Sequence, residues 1–245
     1  MITEQRILPI IYRDEHIIAV NKPSGLLVHR SMIDRHETEF AMQIVRDMVD
    51  QHVYTVHRLD KPTSGVLLFA LSSEVARLLS EQFTEQTITK TYHALLRGWT
   101  EDQHIDYALK EKLDKIADKK ARQDKAAQSA QTDLKVLHRY TYPVAVGRYP
   151  QARLSWVELS PHSGRKHQLR RHMAHIRHPI MGDTSHGDGK QNKFMRQTFN
   201  FNDLALINSK MQLVHPVTQQ SLSLDAPLSS ELVQLLDTLQ PFQCE

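Results

Sequence analysis

The 245-residue sequence contains one cysteine, Cys244. A single cysteine cannot form a disulfide within the chain, and without a Cys-x-x-Cys pair a structural zinc site and a secreted, disulfide-stapled framework are both disfavoured. No window approaches the roughly 18 consecutive apolar residues that a membrane helix needs. Residues 1–15 lack the basic start, apolar stretch and small-residue cleavage site of a signal peptide. We therefore expect a cytoplasmic protein that makes no contact with a membrane.

The bulk composition is that of an ordinary folded protein, with 40 % apolar and 24 % charged residues. The length suits one large domain or two closely joined halves. Neither an internal repeat nor a flexible linker is visible, so we predict a single domain over residues 1–245.

Basic residues are concentrated in two segments, although the net charge of the chain is only +3. Residues 164–178, "GRKHQLRRHMAHIRH", contain five lysines and arginines, four histidines and no acid. Residues 110–125 contain seven basic residues against four acids, which fits a solvated helix face as well as a binding site. The first segment favours an anionic partner.

Short apolar runs and amphipathic stretches predict a mixture of strands and helices. Strands are predicted at 7–12, 16–23, 65–71, 88–98 and 153–161, and helices at 38–51, 72–86 and 229–239. Residues 102–131 are interpreted as a polar, basic, irregular insertion or arm. Because the elements do not alternate as βαβ units, we expect an α+β fold with a mixed or antiparallel sheet rather than a Rossmann fold.

The histidine-rich segment predicts a helix that ends near Arg177, because Pro179 disfavours helical geometry at the residue before it. At about 100° per residue, Arg170 lies at the edge of an apolar stripe and Arg171 points nearly opposite, towards solvent or phosphate. The stripe consists of Leu169, Met173 and Ile176.

Metal binding is a weak hypothesis for the same segment. His172 and His175 are three residues apart, a spacing that can place two ligands on one helix face. However, arginines flank them, and no carboxylate or thiolate completes the set. Phosphate-facing or ordinary surface histidines explain the pattern better, and we predict no metal.

Two other kinds of catalytic site fit poorly. Ser64 lies in a turn that leads into a strand, unlike the Gly-x-Ser-x-Gly elbow of a nucleophilic serine. Glycosidase chemistry needs two cooperating carboxylates, and near the turns Asp60 is the one convincing acid. Asp60 lies between Arg58 and Lys61, which would hold it ionised. Such a carboxylate can attack an electrophilic sugar carbon or remove a proton from it.

Four motifs of the sequence, in order along the chain, resemble those of a known family. "HRLDKPTSG" (57–65) is similar to the H-R-L-D-x-x-T-S-G signature of the RluA family of pseudouridine synthases. "NKPSG" (21–25), Tyr92 in "KTYHALLRG" and "SGRKHQLRRH" (163–172) follow in that family's order. The resemblance implies a mainly antiparallel α+β catalytic fold with flanking helices and a central RNA-binding cleft. It also implies conversion of uridine to pseudouridine without a cofactor or a metal.

The resemblance also implies roles for individual residues. The catalytic residues would be Asp60, Tyr92 and Arg170. Asp60 would be the catalytic aspartate, Tyr92 would pack against uracil and help to remove the C5 proton, and Arg170 would pair with Asp60 and hold it ionised. Arg58 would fill the gap left by a flipped uridine. The remaining substrate-binding residues would be Lys22, which supports the cleft, Leu169, which floors the uracil pocket, Arg165 and Lys166, which contact phosphate, and His57 and Arg171.

The resemblance is closer still to the transfer-RNA branch of the family, through "LVHRSMIDR" (27–35), "LDKIADKKAR" (113–122), "GRYP" (147–150) and "RHPIMGDTSHGDGKQN" (177–192). It implies modification of uridine 65 in the T stem of transfer RNA. We expect no S4 domain, so residues 102–131 are the candidate for target choice, and a monomer. A ribosomal-RNA synthase, a non-catalytic RNA-binding protein and a metal-dependent nuclease are the alternatives.

Overall fold

A computed structural model of the chain describes residues 6–30, 37–110 and 126–244. These residues form strands and α-helices, which in chain order are β1 (Ile10–Arg13), β2 (Ile17–Lys22), α1 (Ala41–Val49), β3 (Tyr54–Thr55), β4 (Ser64–Ala70), α2 (Ser73–Thr84), β5 (Thr89–Arg97), β6 (Gln103–Asp106), β7 (Gln131–Tyr142), β8 (Ala152–Pro161), α3 (Gln168–His175), α4 (Gly189–Phe199), β9 (Leu206–Val214), β10 (Ser221–Asp225), α5 (Ser230–Leu239) and β11 (Gln243–Cys244).

The chain folds into two units, each of which it enters more than once. Among the described residues, unit 1 comprises 6–30, 37–90 and 208–227. Unit 2 comprises 91–110, 126–207 and 228–244. Two of the boundaries therefore fall within strands, after Lys90 in β5 and after Ile207 in β9, and a third follows Pro227, between β10 and α5.

Unit 1 is built on the strand order β1-β2-β4-β9, with β3 also paired to β4 and β10 paired to β9. The pairs β1/β2, β2/β4, β3/β4 and β9/β10 are antiparallel. The apolar residues of β4, 66–70, are completely buried. α2 packs on β4 and begins at Ser72, whose hydroxyl accepts a hydrogen bond from the N–H of Val75 (3.2 Å).

Gly65, the second residue of β4, lies at a place where no other residue fits. Its φ is +108°, and a Cβ atom there would lie 2.2 Å from the carbonyl oxygen of Asn208. The Asn208 side chain in turn donates a hydrogen bond to the carbonyl of Val66 (2.9 Å). The start of β4 is thus pressed directly against the backbone of β9.

Unit 2 is built on the strand order β5-β8-β7-β11, with β6 paired to β7. The pairs β5/β8, β7/β8, β6/β7 and β7/β11 are all antiparallel. Its core is formed by the middle of β5 and β8, where residues 94–96 and Val157 are completely buried. α3 packs against β8.

Most predicted elements are confirmed, as is the mainly antiparallel α+β class. The first predicted strand begins three residues late, at Ile10, because Pro9 has no N–H to donate to a ladder. The irregular interpretation of 102–131 is wrong at its start, where β6 pairs with β7; residues 111–125 lie outside the described residues. The sequence did not predict the strands β3, β6, β7, β9, β10 and β11 or the helix α4.

The single-domain assignment and the role of 102–131 as an arm stay predictions. Within the described parts of the chain, every helix is too short or too polar to cross a membrane.

Candidate active-site residues in the two units

Asp60 lies in the loop between β3 and β4 of unit 1, half-buried. Its backbone carbonyl accepts a hydrogen bond from the N–H of Thr63 (3.0 Å), which closes a turn over Lys61 and Pro62. The preceding Leu59 is buried, with 5 % of its surface exposed, and fixes the loop to the core. The turn therefore holds Asp60 at a defined position.

Lys22 lies beneath this turn with its side chain completely buried. Its amino group donates hydrogen bonds to three backbone carbonyls, those of Pro23 (2.9 Å), Leu26 (2.8 Å) and Lys61 (3.1 Å). The three bonds use all three N–H groups of an ammonium ion. Lys22 thus ties its own loop to the residue that follows Asp60.

Two further hydrogen bonds join the "NKPSG" segment to the Asp60 turn. The N–H of Gly25 donates to the carbonyl of Lys61 (2.9 Å), and the hydroxyl of Ser24 donates to the carbonyl of Pro62 (3.0 Å). The two sequence motifs are therefore parts of one structure. The first motif supports the loop that presents the acid of the second.

Burial strongly affects the Lys22 amine. Loss of hydration lowers the pKa of Lys22 to about 7, although the nearby Asp60 carboxylate raises it and Arg6 lowers it further. A positive charge at Lys22 is therefore sensitive to the ionisation of Asp60. The charges of Lys22 and Asp60 therefore interact directly.

His57 anchors the segment that precedes Asp60. Its Nε2 accepts a hydrogen bond from the N–H of Leu68 on β4 (2.9 Å), and its ring stacks on Phe83 of α2 at 5.1 Å between centroids. Burial, with a smaller contribution from Lys90, lowers the pKa of His57 to about 3. The imidazole is therefore neutral, and its Nε2 is used by the hydrogen bond from the backbone of β4.

The basic residues on either side of Asp60 differ in their surroundings. Arg58 is exposed. Burial lowers the pKa of the neighbouring His29, and the positive charge of Arg58 lowers it further. Lys61 forms an ion pair with Glu37 (2.7 Å) that is partly exposed on both sides. Arg58 is the better placed of the two to reach a ligand in solvent.

In unit 2, Tyr92 lies on β5 opposite Leu159 of β8 and is half-buried. Leu169, in the first turn of α3, is 6 % exposed, which suits an apolar floor or a core position. Arg165 and Lys166 precede this helix and are exposed, whereas Arg171 is half-buried.

Gln168 fixes the start of α3, a role that the sequence analysis missed. Its Oε1 accepts hydrogen bonds from the Ser163 hydroxyl (2.7 Å) and the N–H of Arg165 (3.1 Å). Its Nε2 donates to the carbonyl of Gln131 (2.9 Å) and to the hydroxyl of Thr132 (3.2 Å). Gln168 thereby fastens the exposed basic segment to the first residues of β7.

Arg170 forms a bidentate ion pair with Asp183. Its Nε and one terminal nitrogen each donate to a different carboxylate oxygen at 2.8 Å, and both side chains are buried. Asp183 also accepts the N–H groups of Ser185 (2.8 Å) and His186 (2.9 Å). Despite burial, the bonds from Arg170 and from these two N–H groups lower the pKa of Asp183, so the pair is ionised. The sequence alone does not indicate this role, because Asp183 is simply one of two acids in "MGDTSHGDG".

The prediction that the histidines of this segment face phosphate or solvent is wrong for His172. This residue is completely buried; one ring nitrogen bonds the Thr132 hydroxyl (2.9 Å) and the other donates to the carbonyl of Tyr107 (3.0 Å). Burial lowers the pKa of His172, which favours the neutral ring. His175 is exposed and stacks on Tyr107 at 3.6 Å between centroids.

One group among the described residues brings three potential metal ligands within 4.8 Å of one another: His104, Asp133 and His162. Each histidine lies 2.6 Å from a different oxygen of Asp133. The hydrogen bonds from these histidines lower the pKa of Asp133. They also satisfy both carboxylate oxygens, so we assign the exposed group to the surface of unit 2 and not to the reaction.

Comparison with known proteins identifies a family. The sequence profile described as RNA pseudouridylate synthase matches residues 16–175. The chain is 54 % identical to the tRNA pseudouridine synthase C of Vibrio parahaemolyticus, with 93 % of both chains covered. It is 60 % identical to the protein of that name from Yersinia pestis, over 89 % of this chain and 86 % of the relative.

Two solved structures share the fold. The human RNA pseudouridylate synthase domain containing 4 superposes with a TM-score of 0.71 at 23 % identity, covering 97 % of this chain and 94 % of that one. The human RNA pseudouridylate synthase domain containing 1 gives a TM-score of 0.69 at 24 % identity, with 98 % and 97 % covered. The profile match includes the Asp60 motif and the start of α3. The chain therefore belongs to the RNA pseudouridylate synthase family.

Proposed function

We propose that this protein isomerises uridine to pseudouridine in transfer RNA, at position 65 of the T stem, with Asp60 as the catalytic residue. The observation that carries the proposal is the support of the Asp60 turn by three backbone-directed groups, the Lys22 amine, the Gly25 N–H and the Ser24 hydroxyl. A turn held this firmly from below suits a residue that must meet a reacting atom. The names of the relatives support transfer RNA as the substrate.

The chemistry rearranges one nucleotide without external reagents. The bond between uracil N1 and ribose C1′ breaks, the base rotates, and a bond forms between C5 and C1′. N1 ends with a proton and C5 loses one to solvent, so atoms and electrons balance. The Asp60 carboxylate either adds to C1′ or removes a proton from the sugar, and both routes need it ionised.

The uridine must leave its helix before Asp60 can reach it, at a cost of a few kcal/mol for unstacking and unpairing. Arg58 is exposed two residues from Asp60, and we assign it to the space that the flipped base vacates. There its planar guanidinium can stack on neighbouring bases and donate hydrogen bonds. This offsets part of the cost of flipping.

We assign Tyr92 and Leu169 to the uracil ring, Tyr92 against its face and Leu169 beneath it. Arg170 is proposed to keep Asp60 ionised, as the family resemblance implies, while its pair with Asp183 holds the guanidinium in place. Arg165, Lys166 and Arg171 are proposed to contact RNA phosphates. Such contacts supply affinity that depends on salt and hardly on sequence.

Lys22 and His57 receive positioning roles. Lys22 is completely buried, so it acts on the reaction through the Asp60 turn and not by touching RNA. His57 is held by the Leu68 N–H and fixes the chain before Asp60. We propose further that the enzyme acts as a monomer without metal or cofactor.

Release of tritium from C5-labelled uridine tests the proposal, since the new bond expels the hydrogen on C5. Wild-type protein and Asp60→Asn are assayed against separate transfer-RNA and ribosomal-RNA pools, with circular dichroism to check that both are folded. We expect release from transfer RNA by the wild type and none by Asp60→Asn, whose amide is neutral but nearly the same size.

A modified-base map of the treated transfer RNA then checks position 65. Release from ribosomal RNA alone would keep the chemistry and overturn the substrate. RNA binding without release from either pool would favour a non-catalytic RNA-binding protein. Release that disappears with a chelator would revive a metal-dependent reaction.

A further inference from the structure

Unit 2 contains a cavity of about 340 Å³ between the end of α3 and the start of α4. Its polar lining comes from Arg97, Arg177, His186 and Asp188. None of these four residues has a role in the proposed reaction. The cavity therefore needs an explanation of its own.

The single acid in this cavity is already fully engaged. One oxygen of Asp188 binds the Arg97 guanidinium at 3.0 Å, and the other accepts the N–H groups of Lys190 (2.9 Å) and Gln191 (3.3 Å) as the N-cap of α4. Arg177 is exposed just beyond α3, with φ at +65°. The cavity consequently presents positive charge to solvent.

The turn between β7 and β8 lies beside this cavity. Its "GRYP" sequence forms a tight turn, in which Val146 and Tyr149 exchange backbone hydrogen bonds of 3.0 and 3.3 Å. A Cβ atom on Gly147 would lie 3.6 Å from the side chain of Lys190 on α4. The turn and the start of α4 are therefore in contact.

Arg148 and Tyr149 form an exposed pair at the tip of this turn. Arg148 donates a hydrogen bond to the Tyr149 hydroxyl (3.0 Å), and its guanidinium carbon lies 5.1 Å from the ring centroid. Hydrogen bonding and charge from Arg148, and more weakly the charge of Arg97, lower the pKa of Tyr149. Tyr149 is 45 % exposed, so its ring is accessible to a partner in solvent.

We call the set Arg97, Arg148, Tyr149, Arg177 and Lys190 the distal surface. Its four basic residues against Asp188 give it a charge of +3, equal to that of the whole chain. Arg97 and Tyr92 are five residues apart along β5, a separation of about 17 Å at 3.4 Å per residue. The distal surface is therefore separate from the residues proposed to hold uracil in unit 2.

We propose that the distal surface binds the backbone of the RNA substrate several nucleotides away from the target uridine, with an unpaired base stacked on Tyr149. This inference rests on the proposed function and adds a second contact region to it. Arginines bind phosphate oxygens through paired N–H groups, and an exposed aromatic ring accepts any base face. A substrate long enough to reach both regions gains affinity that a short one lacks.

The test compares binding and turnover for a full-length transfer-RNA transcript and for a short hairpin that contains only the target stem and loop. The variants are Arg148→Ala, Arg177→Ala and Tyr149→Leu. Tyr149→Phe is the matched control, since it keeps the ring, and Arg77→Ala removes an exposed arginine from α2 instead. Kd is measured by fluorescence anisotropy at several salt concentrations, and kcat and KM are measured by tritium release.

For full-length transfer RNA we expect each arginine variant to bind more weakly and to reduce the slope of log Kd against log salt by about one. Tyr149→Leu should weaken binding roughly tenfold at an unchanged slope, because stacking does not displace counterions. KM should rise by similar factors while kcat stays the same. Tyr149→Phe and Arg77→Ala should behave as the wild type, as should every variant on the short hairpin.

Unchanged Kd, KM and salt slope for all three variants on full-length transfer RNA would overturn the inference. Equal losses on the short hairpin would also overturn it, because the surface would then contact the target stem itself. The KM and kcat readouts require an active wild type, whereas Kd and its salt slope require only that the wild type binds RNA. A wild type that binds RNA but releases no tritium would instead refute the proposed function, whereas the binding data would still judge the distal surface.

Discussion

The amino group of Lys22 lies 3.1 Å from the carbonyl oxygen of Lys61, the residue that follows Asp60 in the chain. The 38 residues between them include α1, so the contact joins parts of the sequence that are distant. A buried amine thus fixes the backbone beside the proposed catalytic acid without using a side-chain partner. This arrangement makes the effect of Lys22 on the reaction measurable.

Replacement of Lys22 by methionine should reduce turnover. The thioether fills similar volume but cannot donate to the three carbonyls, so the Asp60 turn loses its support. We expect kcat to fall at least tenfold while KM for RNA changes less than twofold, as measured by tritium release. A rise in KM at constant kcat would show that Lys22 contributes to RNA binding instead.

The stability of the wild type should rise as the pH increases from 7 towards 10.5. Unfolded lysine keeps its proton up to about pH 10.5, whereas the folded pKa of Lys22 is about 7. Within this window the unfolded state binds more protons, so the free energy of unfolding increases by up to about 1.4 kcal/mol per pH unit from this group. Urea titrations of wild type and Lys22→Met should therefore diverge with rising pH. A difference in the free energy of unfolding that stays constant with pH would contradict this prediction. It would mean that the three carbonyls keep Lys22 in its ammonium form.

Replacement of His57 should destabilise unit 1 in a manner that depends on pH. His57→Phe leaves the Leu68 N–H without its acceptor, which should cost about 1–3 kcal/mol at pH 8. The wild type loses stability as the pH falls from 6.5 towards 3, because the unfolded histidine takes up a proton that the folded ring refuses. The difference between the two proteins should therefore shrink on acidification. His57→Gln, which offers an amide oxygen, serves as the control and should lose less.

The pair of Arg170 and Asp183 allows stability to be separated from catalysis. Asp183→Leu removes the bidentate partner of a buried guanidinium and should cost about 3–5 kcal/mol in urea unfolding. The double variant Arg170→Met with Asp183→Leu removes both charges and should recover most of that loss. If Arg170 keeps Asp60 ionised, the stable double variant should still be inactive near pH 7. Full activity of the double variant would reduce Arg170 to a structural role.

Elements of this fold are predictable from the sequence where a local pattern decides the structure. β4 follows from an apolar run bounded by Gly65, and α2 follows from Ser72 and an apolar face. β7 was missed because it is long and uneven: buried Thr132 and Leu134 alternate with charged residues, and a register shift between Val136 and His138 breaks the period. α4 has few apolar residues, so its sequence does not indicate a helix. Asp188 can be recognised as its N-cap only once the position of the helix is known.

The residues of the candidate site also differ in whether a local pattern identifies them. Asp60 could be identified because its motif is contiguous. The parts played by Lys22, Gln168 and Asp183 depend on partners that are distant in sequence or on backbone carbonyls, which no pattern of side chains reveals. Burial of His172 likewise follows from Tyr107 and Thr132, which the helical wheel of α3 does not include.

The interleaved course of the chain has a consequence for biosynthesis. Residues 66–70 of β4 are apolar and completely buried, and the neighbouring strand β9 ends at Val214. At about 5–20 residues per second, a ribosome delivers that neighbour roughly 7–29 s after β4 itself. During this interval the nascent chain carries an unprotected apolar strand edge. Messages truncated between the two strands should therefore yield aggregates, and chaperones should bind this stretch during translation.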